Sequence, residues 1–421
     1  EREVLHLKAT LTEMLRDVAG IDAVKLNANH YKEGAITDQP IEEQAWVTFV
    51  PSAVQSHSQL LEGILSPSMI NAVMEKSEDA LSRVDIMLGA QTGGEPVHHS
   101  HAVTHIFKVV TCFICHTIIL PALETTSRLV ASSVPDLSLY ECLARTYVIT
   151  KQHKNILDSH VSKVVHEYPE VLSAVSDCRR GMVSKVDGAG VDALHVVIKR
   201  ILSVVDKAFA AHSKTDYCPK ETSATRFGSA QAALGATKKK EVRSLEYSAP
   251  YVTKIEELLT EQRKLMENKL RPVMSLEPIL NLIGLQLHGR FIDLLLKQQI
   301  STTGGLALAK DVNGLRQTVM VNLVIDQGNT TAASSITPVE QSTSGGCSQA
   351  ETHPLILAFD ALNDMVPIYL VAPDQLPVII AQGSLNRLDN SVLLELIRCR
   401  VDAKTSHGRQ AKWVRSYFPN I

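Results

Sequence analysis

The chain is patterned for helices. In "VDALHVVIKRILSVVDKAFAAH" the apolar residues Leu194, Val197, Ile198, Ile201, Leu202, Val205 and Phe209 recur at three- and four-residue intervals, while Lys199, Arg200 and Asp206 fall largely off that stripe. Such spacing puts one apolar face on a helix of 3.6 residues per turn, and that face must be covered. The signal returns in Ile255, Leu258, Leu259, Leu265, Met266 and Leu270, where Glu267 and Arg271 form an i,i+4 pair and Pro272 closes the segment. It returns again in Leu308, Val312, Leu315 and Val319, then in Leu355, Ala358, Leu362, Met365, Val366 and Tyr369, and in Val392, Leu393, Leu396, Ile397 and Val401. The stretch from Leu276 to Ile300 is apolar on all sides and is expected to be the central helix of one bundle. Strand signals are weak: "AWVTFV" and "PVII" are short, isolated and not joined through Asn-Gly or Asp-Gly turns. The expected fold class is all-α, a series of consecutive antiparallel helical bundles, and no fixed-period repeat marks a solenoid.

Two stretches break the pattern. Residues 213–250 mix Ser, Thr, Gly and Lys with little periodicity and include Lys238, Lys239 and Lys240, which reads as a linker or long loop. Residues 327–353 are richer still in Ser, Thr and Gly and carry too few large apolar groups to offset the entropy of ordering them, so a disordered insertion is expected. The predicted organisation is helical bundles over 1–212, the linker over 213–250, and a C-terminal helical bundle over 251–421 that carries the insertion. A length of 421 residues suits two to four such units.

Glycines raise two questions. "DGAGVDA" spells a degenerate dinucleotide fingerprint with Gly188, Gly190 and Ala193, but no strand precedes it, so a turn at the start of a helix is expected. "STTGGLALAKD" has no Gly-Lys-Ser/Thr and is no phosphate loop. Gly304 and Gly305 are expected to break one helix and to let the next helix pack closely, and a β-branched residue at 305 would be strained if the break gives it a positive φ.

Charge narrows the partners. Lys plus Arg number 42 against 45 for Asp plus Glu, a net charge of -3, so there is no basic excess for nonspecific nucleic-acid binding. The seven cysteines, Cys112, Cys115, Cys142, Cys178, Cys218, Cys347 and Cys399, are odd in number and loosely spaced, which fits a reducing, cytosolic compartment better than a disulfide framework. The opening "EREVLHLKAT" has no signal-peptide character and reads as the middle of a helix, so a longer protein is expected.

Metal and cofactor chemistry centres on "HHSHAVTHIFKVVTCFICH", which offers His98, His99, His101, His105, Cys112, Cys115 and His116. Cys112-x-x-Cys115-His116 is the spacing that tethers a c-type haem. On a helix His101 and His105 share one face, as do Cys112 and His116, which keeps a zinc site, and with it a zinc-dependent enzyme, as a competing reading. The cysteines nevertheless sit inside the apolar run "IFKVVTCFICHTIIL", about 15 residues long and interrupted by Lys108 and His116 where a membrane span needs roughly 20. Packed thiols in a core helix are the favoured expectation, with no cofactor and no metal. No G-x-S-x-G elbow and no H-E-x-x-H occurs, and an enzyme is not expected.

The block "LNLIGLQLHGRFIDLLLKQQISTTGGLALAKDVNGLRQTV" runs a long apolar helix carrying His288 and Phe291 into Gly304-Gly305 and then Leu308, Asp311 and Val312. It resembles the C-terminal region of the exocyst complex component five family, whose domain is shared with the F-box recyclins. "SKTDYCPKE" is similar to the family's Lys-Thr-Asp-aromatic-x-Pro-Lys segment through Lys214, Thr215, Asp216, Tyr217, Pro219 and Lys220. Val371-Ala372-Pro373-Asp374 and Leu388-Asp389 match its last helices, and the resemblance covers about residues 200–405. It implies a rod of stacked helical bundles as in vesicle-tethering complex subunits, with Gly304, Gly305, Asp311, His288 and Phe291 as structural residues. It further implies a non-catalytic exocyst subunit that tethers secretory vesicles to the plasma membrane. The implied partners are other exocyst subunits and small GTPases, with peripheral membrane association through the complex, a cytoplasmic location and no nucleic acid. A recyclin-type adaptor in endocytic membrane recycling is the alternative.

Overall fold

Every regular element among the described residues is helical, as the 3.6-residue periodicity requires. The structure, a computed structural model, describes residues 10, 55–89, 96–131, 134–165, 169–212, 217–218, 249–324, 353–382, 385, 390–403 and 413–414. "AWVTFV" lies outside them, as do the 213–250 loop and the 327–353 insertion apart from Tyr217, Cys218, Ala249, Pro250 and His353. "PVII" belongs to a helix, and the one strand-like feature among the described residues is an isolated parallel bridge between Ile300 and Arg400. The chain forms two compact units, Glu1–Ile201 with Leu265–Ser275, and Leu202–Lys264 with Leu276–Ile421.

The first unit contains α1 (His57–Glu62), α2 (Pro67–Gly89), α3 (Pro96–Phe113), α4 (Leu120–Val130), α5 (Leu137–Val165) and the first part of α6 (Pro169–Ala210). Short α1 is fixed at both ends. Ser56 and Gln59 form a reciprocal capping box at its start. Past its end, Arg145 of α5 donates to the carbonyls of Leu61 at 3.1 Å and Leu65 at 2.8 Å. The same guanidinium bonds Glu141, whose second oxygen takes Lys269 at 2.8 Å. Between α3 and α4 the chain does not stop: Ile114–Ile119 is a π-helical turn, and Leu120 N–H reaches back to the carbonyl of Cys115. Pro121 supplies the cause, since it has no N–H to give and its ring crowds the carbonyl four residues earlier, which a widened turn relieves.

The apolar run Ile106–Leu120 is therefore part of a longer continuous helix. Thr104–Val130 has the length and apolar character to cross a membrane, and 83% of its most apolar window is buried in the fold, as in a core helix. Cys112 and Cys115 lie on it, both 4% exposed, as packed thiols.

The second unit holds α7 (Pro250–Lys269) up to Lys264, α8 (Glu277–Leu296), α9 (Thr302–Leu323), α10 (Pro354–Met365), α11 (Pro367–Leu370), α12 (Leu376–Gln382), α13 (Asn390–Arg398) and a 3₁₀ turn at Val401–Ala403. Helix α9 packs on α8, α10 and α11. Its buried stripe of Leu308, Val312, Leu315 and Val319 is the predicted one. Helix α8 departs from expectation. It buries one face, through Leu280, Ile283, Leu287, Phe291 and Leu295, while Leu285 stays 47% exposed, so it flanks the bundle and is not enclosed on all sides. In α13 the buried set is Leu393, Leu394, Leu396 and Ile397, and Val392 and Val401 face outward.

Gly188 and Gly190 correct a second expectation. They sit inside continuous α6, with no turn, because Met182, Val186, Ala193 and Val197 carry one buried stripe straight past them. A Cβ at either position would meet nothing within 4 Å. Helical glycine costs roughly 0.5–1 kcal/mol relative to alanine. Gly188→Ala and Gly190→Ala should each stabilise the protein by about that amount in urea unfolding, and a loss of stability would mean the helix is broken there.

Candidate functional site

In the second unit three separate segments converge on one carboxylate. Asp311, on the third turn of α9, is 2% exposed. Its Oδ2 accepts from the hydroxyls of Tyr217 at 2.7 Å and Tyr251 at 3.1 Å, and its Oδ1 accepts the backbone N–H of Ala249 at 2.7 Å. The two phenol oxygens stand 2.8 Å apart. Burial, with the Tyr251 hydroxyl and the Asp311 carboxylate beside it, raises the Tyr217 hydroxyl well above its ordinary range and keeps it protonated. Tyr217 and Tyr251 are 0% and 3% exposed, so this cluster holds chain and cannot meet a dissolved substrate.

The backbone of Tyr217 is held as firmly as its side chain. Its carbonyl accepts from Ser301 N–H at 2.9 Å and from the Ser301 hydroxyl at 3.3 Å. Ser301 is the N-cap of α9, and its Oγ also accepts from Gly304 N–H at 3.0 Å. This close approach is what Gly304 permits: a Cβ there would lie 1.6 Å from the Tyr217 carbonyl oxygen. Gly305 faces the other way, where a Cβ would meet Leu370 Cδ2 at 2.9 Å and Tyr369 Cβ at 3.2 Å. The glycine pair thus opens a helix instead of breaking one, and Gly305 has no positive φ. The expectation of close packing holds, through space and not through backbone freedom.

An aromatic layer backs the cluster. Phe209 packs edge-on to Tyr251 with centroids 5.4 Å apart and lies 6.1 Å from Phe291. His288, one turn before Phe291, meets the edge of Phe359 at 5.6 Å and sits apart from the carboxylate. The sequence reading named Tyr217, Asp311 and the two glycines separately. It missed Tyr251 and Ser301, whose only sequence signals are a Pro-Tyr helix start and a Ser-Thr-Thr cap.

A second buried charge closes the C-terminal end. Arg400, also 2% exposed, forks onto Asp402 at 2.8 and 2.5 Å. It also donates to the carbonyls of Ile368 and Val371 at the end of α11 and lies 5.7 Å from the ring centroid of Trp413.

In the first unit Cys112 and Cys115 are buried thiols. Burial pushes the Cys115 thiol up to about 12, and a hydrogen bond with Cys178 together with burial raises Cys112 further. Neither presents a ready thiolate to an electrophile. The side chains of His98, His99 and His101 lie outside the described residues, and among the described ones no group of three metal-ligating side chains assembles.

These features define a helical-bundle scaffold whose buried polar groups bind chain to chain. Over residues 27–411 the sequence matches the family model described as exocyst complex component Sec10-like, alpha-helical bundle, and the chain belongs to that family. No curated protein matches it.

Two measurements test this geometry. Gly304→Ala should cost about 3 kcal/mol or more, because backbone must move, whereas Gly305→Ala should cost less because flexible Leu370 can yield part of the space. In a double-mutant cycle, Tyr217→Phe and Asp311→Asn should couple by about 1.5–3 kcal/mol, the range for a hydrogen bond to a charged group. Additivity would separate the two groups. The pH dependence of stability tests the first unit, where burial, aided by Arg179, holds His153 down at about 4 from an ordinary 6.5. Below pH 6.5 the unfolded chain binds a proton that the folded one refuses, so this contribution to stability should fall between about pH 6.5 and pH 4 and level off below. His153 alone contributes about 3 kcal/mol to that fall, and His57 and His288, also lowered by burial, act in the same direction. Urea midpoints across this range should show a shallower decline in His153→Gln.

Proposed function

We propose that this chain is the Sec10-type subunit of an exocyst complex and that it acts by assembly, holding secretory vesicles at the plasma membrane before fusion. The single observation that carries this reading is the family match across residues 27–411. The buried staples support it: Gly304, Gly305 and Asp311, with Phe291 in the layer behind and His288 on the neighbouring turn, serve to fix helices in register. The partners are other exocyst subunits, with small GTPases acting on the assembled complex. The chain works in the cytoplasm and meets the plasma membrane through that complex.

The test is Gly304→Ala in cells, with Gly188→Ala as a helical control. The expected result is reduced recovery of partner subunits in a pull-down and secretory vesicles accumulated beneath the plasma membrane, with the control unaffected. Secretion that fails while the variant remains folded and fully assembled would point to an activity in the chain itself. A defect confined to endocytic recycling or ubiquitin-linked turnover would replace this reading with a recyclin-type adaptor.

A further inference from the structure

The first unit contains a cleft lined by Thr111 and Cys115 of the α3–π–α4 helix, His153 and Leu157 of α5, and Met182 and Arg179 of α6. It measures about 340 Å³ including its open mouth, and its enclosed part is water-sized. His153 is 6% exposed, and neither of its ring nitrogens has a hydrogen-bond partner among the described residues. An unfilled buried donor or acceptor costs about 1–3 kcal/mol, so two on one ring need an explanation. An ion pair does not supply it. The neighbouring cation, Arg179, carries positive charge and is itself held by Asp158 at 2.5 and 3.2 Å.

A neutral imidazole presents one N–H donor and one acceptor nitrogen. The ligand that suits it must do both, must be small, and must tolerate otherwise apolar walls. A cation is disfavoured by the two positive charges in the lining, Arg179 and Lys154, and an anion because Arg179 is already held by Asp158 while Lys154 is exposed at the mouth, away from the buried ring. Water meets every condition, given a space of at least roughly 10–15 Å³ and two or more polar contacts. The π turn at Ile114–Ile119 widens the helix facing His153, and turns of this kind often accompany bound ligands.

We propose that this cleft is an internal water site, in which one or two ordered water molecules bridge the ring nitrogens of His153 to the α3–π–α4 helix. The water satisfies a histidine that the bundle otherwise buries without partners, and it fills the space that the π turn opens. An apolar cavity with room for xenon stays dry and takes up the gas, whereas a polar site holds water, which gives a discrimination.

Crystals of the full 421-residue chain, native and xenon-pressurised, test it. Expected are oxygen density about 3 Å from a His153 ring nitrogen and no xenon in the cleft. In His153→Leu the water should be lost and xenon should enter. If that variant does not fold, His153→Gln, which keeps a donor and an acceptor, should retain the water. Xenon in the native cleft, anomalous scattering from a metal, or direct hydrogen bonds from both His153 nitrogens to protein groups would each overturn the proposal.

Discussion

Asp311 sets the constraint on which the second unit depends. Through Tyr217 and Ala249 it holds both ends of the 213–250 segment on one side chain. Closing a loop of about 30 residues costs roughly 3 kcal/mol beyond a constant. Three hydrogen bonds to a buried carboxylate, at about 1.5–3 kcal/mol each, exceed that cost. The neighbouring features follow from it. Tyr217 can reach Asp311 only if its backbone lies on the first turn of α9, and that position is open only because residue 304 has no Cβ. Ser301 then spends one hydroxyl on both the helix N-terminus and the Tyr217 carbonyl. Removing the carboxylate leaves two phenols and an amide facing one another in an apolar interior, which is more costly than never having built the cluster.

The same logic governs the helix ends. The last carbonyls of a helix have no intrahelical donor and need one from elsewhere. Arginine provides them three times: Arg145 past the end of α1, Arg400 at the end of α11, and Arg263 of α7 on the Val321 and Val324 carbonyls at the end of α9. A guanidinium suits this task because one terminal nitrogen, Nη1 in each case, carries two N–H groups and reaches two carbonyls at once, while its charge complements the negative end of the helix dipole. Each such contact joins residues far apart in sequence, so helix termini are fixed by tertiary structure and not by local turns.

How much of this is legible in the sequence depends on range. The helical class and the buried stripes of α6, α7 and α9 follow from spacing within a few turns, and Val197, Ile201, Leu259, Leu308 and Leu315 face inward as that spacing requires. Glycines were read less well, because their meaning lies in what stands opposite. Gly188 and Gly190 face open space and are carried by the helix, while Gly304 faces a carbonyl from a residue 87 positions earlier, at Tyr217. Nothing in the local composition of either segment shows what stands opposite it. Leu276–Ile300 shows the converse failure: an apolar surround suggested enclosure, yet burial depends on how many neighbours the bundle supplies, and α8 has them on one side only. The meeting of Tyr217, Tyr251 and Asp311 has no periodicity at all, and a resemblance of motifs could point to its members without showing that they touch.

A protein that works by assembly must present its surfaces in fixed relative positions, and apolar packing alone does this poorly. Leucine-rich stripes can slide by a turn at small cost, since one methyl-lined groove resembles the next. A buried carboxylate accepting from three donors cannot slide, because any displacement leaves polar groups unpaired in a medium where that is expensive. The second unit uses such contacts where segments distant in sequence must meet, at Asp311 and at Arg400. Its apolar stripes supply most of the driving force and its polar staples select the register. In this Sec10-like helical bundle the two kinds of contact divide the work, apolar area holding the helices together and the polar staples fixing which turn meets which.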